Sequence, residues 1–195
     1  VLFYILFIVS QSNKNNEYEI LYEITSTGKT YIPGGDKIVT VYFAPNDIYS
    51  ILFLTYDLPL YIKDNFTVIL RPVTMDNISL LIGCYNNITY NQLMEIFENF
   101  TYAYNNSPNY VIQCFNNNQS AQYIQTNYDI LVGTHMLGTP AYFLVFPSGN
   151  ITAINETLHS VGIIVNPIKY NGDYIMLLYG YIPINVTEQV LQNIG

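Results

Sequence analysis

Cys84 and Cys114 are the only thiols in the chain, and such a pair can serve as a structural cross-link or exchange disulfides with a substrate. A bond between them closes a loop of about 30 residues, a constraint of about 3.5–4 kcal/mol in the chain-entropy model. Two buried free thiols are the other reading. His135 and Met136 are adjacent, and with Met75 they would offer soft ligands suited to copper. The competing reading is a loop histidine beside a core methionine, with no metal site. His159 precedes Ser160, but sequence neighbours seldom meet as base and nucleophile, and no nucleophile elbow surrounds them. Carboxylates are scattered singly, so no acid–base pair for glycoside hydrolysis can be nominated. Gly-rich phosphate loops are absent. No cofactor is implied by these residues.

A modification signal is more abundant than any catalytic one. Asn-x-Ser/Thr sequons occur at Asn65, Asn77, Asn87, Asn99, Asn105, Asn118, Asn150, Asn155 and Asn185. The 23 Asn and 24 Ser plus Thr of this chain would give about three by chance. The excess points to N-linked glycans on an exported chain; Asn-rich loops that generate sequons freely are the alternative.

Charge is scarce. Six Lys plus Arg face fourteen Asp plus Glu, a net charge of -8, while half the residues are apolar and twenty are Tyr. An AT-biased genome would raise Lys along with Asn, yet only five Lys occur, so the low charge reads as selected. Uncharged polar groups keep a surface wet at any pH, and few basic groups limit self-repulsion once carboxylates protonate. An acidic habitat, such as that of an acidophilic archaeon, is the expectation; glycans that make charge unnecessary are the other explanation. Nucleic acid is excluded as a partner, because phosphates call for clustered Lys and Arg. The many Tyr offer faces for sugars or an interface, or fill half-buried strand positions.

The elements that must position these residues follow from periodicity. Val1–Ser10 is an apolar run without charge, either part of a membrane anchor, an uncleaved signal core, or an extended strand of about 33 Å that docks on a neighbour. As a helix it would rise only about 15 Å. Residues 11–16 read as a polar linker, making 1–16 an appendage to a domain of residues 17–195. Tyr18–Thr25 is expected as an edge strand and Pro33–Gly35 as a turn. Lys37–Phe43 and Phe66–Pro72 read as buried strands. Between them, Asn46 or Asp47 caps a helix through Ile48, Ile51, Leu52 and Leu58, kinked or ended by Pro59. This β-α-β unit implies parallel strands. Residues 75–130 turn helical, with a Thr89-x-x-Gln92 capping box and Leu93, Ile96, Phe97, Phe100 and Tyr104 at helical spacing. A helix over residues 119–130 is expected to turn Ala121, Ile124 and Tyr128 inward, with Cys114 in the loop before it. Ala141–Phe146 and Asp173–Tyr179 are strands, 151–172 an irregular insertion or a short added hairpin, and 187–194 a closing helix.

Leu137-Gly-Thr-Pro140 leading directly into Ala141–Phe146 resembles the cis-proline loop of the thioredoxin superfamily, and the order of elements is similar to that of DsbA-like disulfide oxidoreductases. Val39–Phe43 resembles the first core strand, Leu58–Ile62 the end of the kinked first helix, and Val68–Val73 the second strand. The resemblance spans residues 37 to 195 and implies an α/β fold: a central mixed sheet flanked by helices, with a helical insertion and an apolar N-terminal extension. It also implies a cis bond at Thr139–Pro140 and a Cys-x-x-Cys pair at the first helix's N-terminus, where the helix dipole would lower a thiol pKa. This chain has Asn46, Asp47 and Ser50 there. Capping is within their reach; disulfide exchange is not.

The expectation is therefore an exported, glycosylated, redox-inactive protein of this fold. It would serve as a structural or binding subunit of a cell-surface assembly (filament, envelope layer or membrane complex). Its partners would be copies of itself or other surface proteins, with residues 1–10 meeting membrane or a neighbouring subunit. The alternatives are an extracytoplasmic oxidoreductase or isomerase using Cys84 and Cys114, and a copper-binding accessory protein.

Overall fold

A computed structural model describes residues 15–195; the apolar run and most of the linker lie outside them. At its centre is a six-stranded sheet. The strands are β1 (Thr30–Ile32), β2 (Ile38–Phe43), β3 (Thr67–Pro72), β4 (Ala141–Phe146), β5 (Ile168–Tyr170) and β6 (Asp173–Tyr179), in the spatial order β1-β3-β2-β4-β6-β5. Only β2 and β3 are parallel; every other neighbouring pair is antiparallel.

Strand alternation produces two cores. Val39, Val41 and Phe43 of β2, Tyr142, Leu144 and Phe146 of β4, and Met176 and Leu178 of β6 face the larger one. Tyr42, Phe143, Val145, Ile175 and Leu177 face the other, as a period of two requires.

The larger core is closed by many short helices. After β2 come α2 (Ile48–Leu52), a π-helical turn (Phe53–Asp57) and α3 (Leu58–Lys63). Pro59, in the first turn of α3, has no N–H to give there, and the chain relieves the conflict with the wider turn just before it. Between β3 and β4 lie α4 (Asn77–Ile82), α5 (Tyr90–Glu98), α6 (Phe100–Asn105), α7 (Asn109–Asn116) and α8 (Ala121–Gly133); α9 (Ile151–His159) and α10 (Ile184–Gln192) follow. Buried Leu54, Leu81, Ile96, Val111, Ile154 and Val190 bring these elements onto one face. The smaller core is covered by α8 and by the helix α1 over residues 15–25, through Leu21, Ile130 and Leu131. The fold is thioredoxin-like: a mixed sheet with helices on both faces and a parallel β-α-β unit leading it. Among the described residues, no helix is long and apolar enough to cross a membrane.

Several expectations are corrected. Residues 18–25 form helix rather than strand, and residues 15–16, read as linker, already belong to it. Their spacing of Tyr18, Leu21, Tyr22 and Ile24 covers the smaller core, and β1 takes the edge position instead. The helix begun by the Thr89 capping box, with both reciprocal hydrogen bonds formed, does not run on to Tyr104. It stops at Asn99, whose side chain accepts from the Tyr102 N–H and caps a new helix. Cys114 lies within α7 rather than in a loop. Residues 151–159 form α9, started by the Asn150 side chain, rather than irregular chain, while β5 makes a short hairpin with β6.

Within α8 the buried residues are Tyr123, Ile124 and Asn127, and Tyr128 is exposed. An amide faces inward because Arg71, the chain's single arginine, is buried beneath it. The Asn127 Oδ1 accepts from Arg71 Nη1 at 3.1 Å, and Nδ2 donates to the Pro72 carbonyl at 3.1 Å. Replacing Asn127 with Leu strands a buried guanidinium N–H and a carbonyl together. We expect Asn127→Leu to cost about 2–4 kcal/mol, read from the shift in urea midpoint at unchanged slope.

Candidate functional site: the first helix and the proline loop

The C-terminal end of β2, the start of α2 and the start of β4 converge. Asp47 is the N-cap of α2, its backbone extended (φ -91°, ψ 123°), so the carboxylate folds back over the first turn. Oδ1 accepts from the Tyr49 N–H at 3.2 Å. Oδ2 accepts from the Ser50 N–H at 3.1 Å, from Ser50 Oγ at 2.8 Å and from Thr139 Oγ1 at 3.1 Å. The Thr139–Pro140 peptide is cis, and the Pro140 carbonyl accepts from the Gly180 N–H at 2.9 Å, tying the loop to the end of β6. Ser50 is fully buried; its Oγ also accepts from the Ala44 N–H at 3.2 Å.

This arrangement saturates the groups that could react. Ser50 Oγ donates to the Asp47 carboxylate and accepts from the Ala44 N–H, and its complete burial leaves it no access to a substrate. Asp47 holds four donors and acts as the knot between α2 and the proline loop. Asn46 is exposed and outside the network. The surroundings are apolar: Ile48 is 59% exposed, Tyr49 57% and Leu137 87%. Three exposed apolar side chains thus rim the start of α2 and the proline loop, with Glu17 and His135 beyond Leu137.

Cys84 and Cys114 are joined in a disulfide, between the turn after α4 and α7. The helices it links all lie between β3 and β4, whereas Asp47 and Thr139 belong to segments flanking β2 and β4. The copper reading loses its geometry: His135 Nδ1 pairs with Glu17 Oε1 at 2.9 Å, Met136 is buried in the smaller core and Met75 is 55% exposed. Among the described residues no three His, Cys, Asp or Glu side chains are grouped to hold a metal. His159 ends α9, and Ser160 Oγ donates to the Thr157 carbonyl at 2.7 Å.

Of the nine sequon asparagines, eight are exposed: Asn65, Asn77, Asn87, Asn99, Asn105, Asn118, Asn150 and Asn185. Asn155 is half-buried on α9, and its Oδ1 is enclosed without a hydrogen-bond partner. Asn99 and Asn150 cap helices through Oδ1, which leaves Nδ2, the atom a glycan would take, unused by the cap.

Sequence reasoning reached Asp47, Ser50, Thr139 and Pro140 but not the bond between Asp47 and Thr139, because residues 92 apart carry no local signal. Asp57 was also missed. It interrupts the apolar series Phe53, Leu54, Leu58 and Tyr61, and an acid on that stripe was the available sign of a buried carboxylate.

Asp47→Ala removes a cap and the tie to the proline loop together. A loss of about 1–2 kcal/mol is expected. Thr139→Val, which keeps the cap, is expected to cost less than half as much; equal losses in a thermal melt would show that the tie rather than the cap dominates.

Neither the family models nor the curated proteins contain a match to this chain. Among solved structures, the chain is similar to one described as the crystal structure of Chlamydia trachomatis DsbA, at 18% identity and a TM-score of 0.43, over 58% of this chain and 78% of that one. The thioredoxin-like description stands on the strand order and the layering given above.

Proposed function

We propose that this is an exported, N-glycosylated protein in which a thioredoxin-like scaffold serves as a structural or binding subunit of a cell-surface or extracellular assembly. The observation that carries the reading is the closed Asp47–Ser50–Thr139 network at the first helix's N-terminus. A carboxylate and a buried hydroxyl there cannot exchange disulfides, so the scaffold is kept without the chemistry. The exposed Ile48, Tyr49 and Leu137 around it suit contact with a partner better than turnover of a substrate. Eight exposed sequon asparagines and a disulfide fit an oxidising, extracytoplasmic location. Residues 1–10, apolar and uncharged, would supply attachment to membrane or to a neighbouring subunit.

Three measurements test this. Insulin reduction by the protein should stay at background, whereas Asp47→Cys with Ser50→Cys, which restores the spacing of an exchanging pair, should raise it. Activity in the unaltered protein that disappears with Cys84→Ser would replace the proposal by an oxidoreductase working through the Cys84–Cys114 bond. Enzymatic deglycosylation of native protein should lower its mass, with Asn155 the unmodified site. Deleting residues 1–10 should release the protein from membrane or polymer; unchanged retention would refute their role in attachment.

A further inference from the structure

Asp57 is the one carboxylate among the described residues with no exposed surface. It ends the π-helical turn, and its two oxygens reach across to the C-terminal part of the chain. Oδ2 accepts from the Ile182 N–H at 3.1 Å, in the link after β6. Oδ1 accepts from Thr187 Oγ1 at 3.4 Å, near the start of α10. Every other group facing it is apolar or neutral. Tyr61 of α3 and Tyr142 of β4 feel its charge, and both are buried with their hydroxyls pushed well above the usual range. The Tyr142 hydroxyl has no partner. Phe53 of the same turn stacks on Tyr142 with ring centroids 4.3 Å apart. From α10 the inward side chains are Thr187 and the apolar Val186, Val190 and Leu191, and Glu188 is exposed. No Lys, Arg or His contributes to its surroundings.

A carboxylate in this box has two donors, one of them long, where water would supply several. Protonated, it keeps both contacts without a charge to solvate. Ionised, it gains most by admitting water. Over it lie the link and first turn of α10, where Pro183, Ile184 and Asn185 are exposed. We propose that Asp57 is a proton-operated latch on the C-terminal helix, holding Ile182 and Thr187 against the π-helical turn when protonated and releasing α10 when ionised.

Burial pushes the Asp57 carboxyl up to about 7, against the pull of its bonds to Ile182 and Thr187. The folded, latched state therefore keeps a proton that an opened state gives up. The latch is at full strength below about pH 4, the ordinary Asp range, and weakens as pH rises through about 7. This property of the scaffold is independent of any role at a cell surface.

Hydrogen exchange on the full chain reads the opening directly. Protection factors of the α10 amides Val186–Leu191 should fall on the order of a hundredfold between pH 5 and pH 8, while those of β4 hold. Asp57→Asn, neutral at both values, can accept from the Ile182 N–H through its amide oxygen and donate to Thr187 Oγ1 through its NH2, and should abolish the fall. A wild-type α10 indifferent to pH, or a fall that persists in Asp57→Asn, overturns the latch. Should that variant not fold, infrared spectra of the wild type decide. At pH 6, where ordinary carboxyls are ionised, one protonated carboxyl C=O band is expected, and it should vanish by pH 9. Its absence at pH 6 rejects the proposal.

Discussion

A single buried guanidinium holds one whole layer of this protein in place. Arg71 projects from β3 into the smaller core with 1% of its surface exposed and has no carboxylate partner among the described residues. Its charge is instead solvated by pieces of three separate elements. Nη2 donates to the Ile24 carbonyl at 2.7 Å and to Thr27 Oγ1 at 3.2 Å, Nη1 donates to Asn127 Oδ1, and the group lies over the Tyr42 ring at 5.7 Å. Ile24 is at the C-terminal end of α1, where carbonyls lack helical partners and the dipole favours a cation. Docking α1 and α8 is thus a condition for burying Arg71 at all, since a buried ion left unsolvated costs several kcal/mol. Gly28 belongs to the same constraint: a Cβ there would meet Ile69 Cγ2 at 2.2 Å, so the chain can pass this close to the sheet only without a side chain.

At the C-terminal end of β2, Asp47 plays the corresponding part with the sign of charge reversed. It joins the leading β-α-β unit to the strand that follows the insert, through one side-chain contact with Thr139. A reactive thiol at a helix N-terminus is poised because its thiolate is stabilised yet open to attack. Asp47 takes the same dipole stabilisation and closes the position, since its oxygens are engaged with Tyr49, Ser50 and Thr139. At this position the carboxylate is one of the fastenings of the scaffold.

Much of the sheet was legible. β2, β3, β4 and β6 are largely apolar runs, interrupted by Thr40 in β2 and Arg71 in β3 and bounded by Pro, Gly and Asn, and buried strands leave that pattern. The N-terminal part of the site was readable for a related reason, because Asp47 precedes an apolar helical stripe at capping distance. Failures came where apolar spacing fits two periods. Tyr18, Tyr22 and Ile24 satisfy alternation, and only the presence of Leu21 on the same face makes the helix. Asn99 could not be seen as a break, since the stripe continues across it and only its backbone, at φ -149° and ψ 81°, reveals the restart. The inward turn of Asn127 depends on Arg71, 56 residues away, and no local pattern encodes such a dependence.

The composition follows from how the fold makes its long-range polar contacts. Two ion pairs occur among the described residues, Lys37–Asp64 and His135–Glu17. Tyrosine hydroxyls do much of the joining that ion pairs might do. Tyr123 donates to the Leu70 carbonyl at 2.8 Å and accepts from the Lys29 N–H at 3.3 Å; Tyr90 donates to the Leu54 carbonyl at 2.9 Å; Tyr85 meets Ser107 Oγ at 2.8 Å. In each, the ring adds to a core and the hydroxyl reaches a polar group at its edge. Burial raises the Tyr85, Tyr90 and Tyr123 hydroxyls further from ionisation, so these ties are insensitive to pH across the whole acid and neutral range. Thr89, Asn99 and Asn150, which cap α5, α6 and α9, do not titrate either. A chain fastened this way has little use for lysine, and protonation in acid leaves these tyrosine and cap contacts untouched.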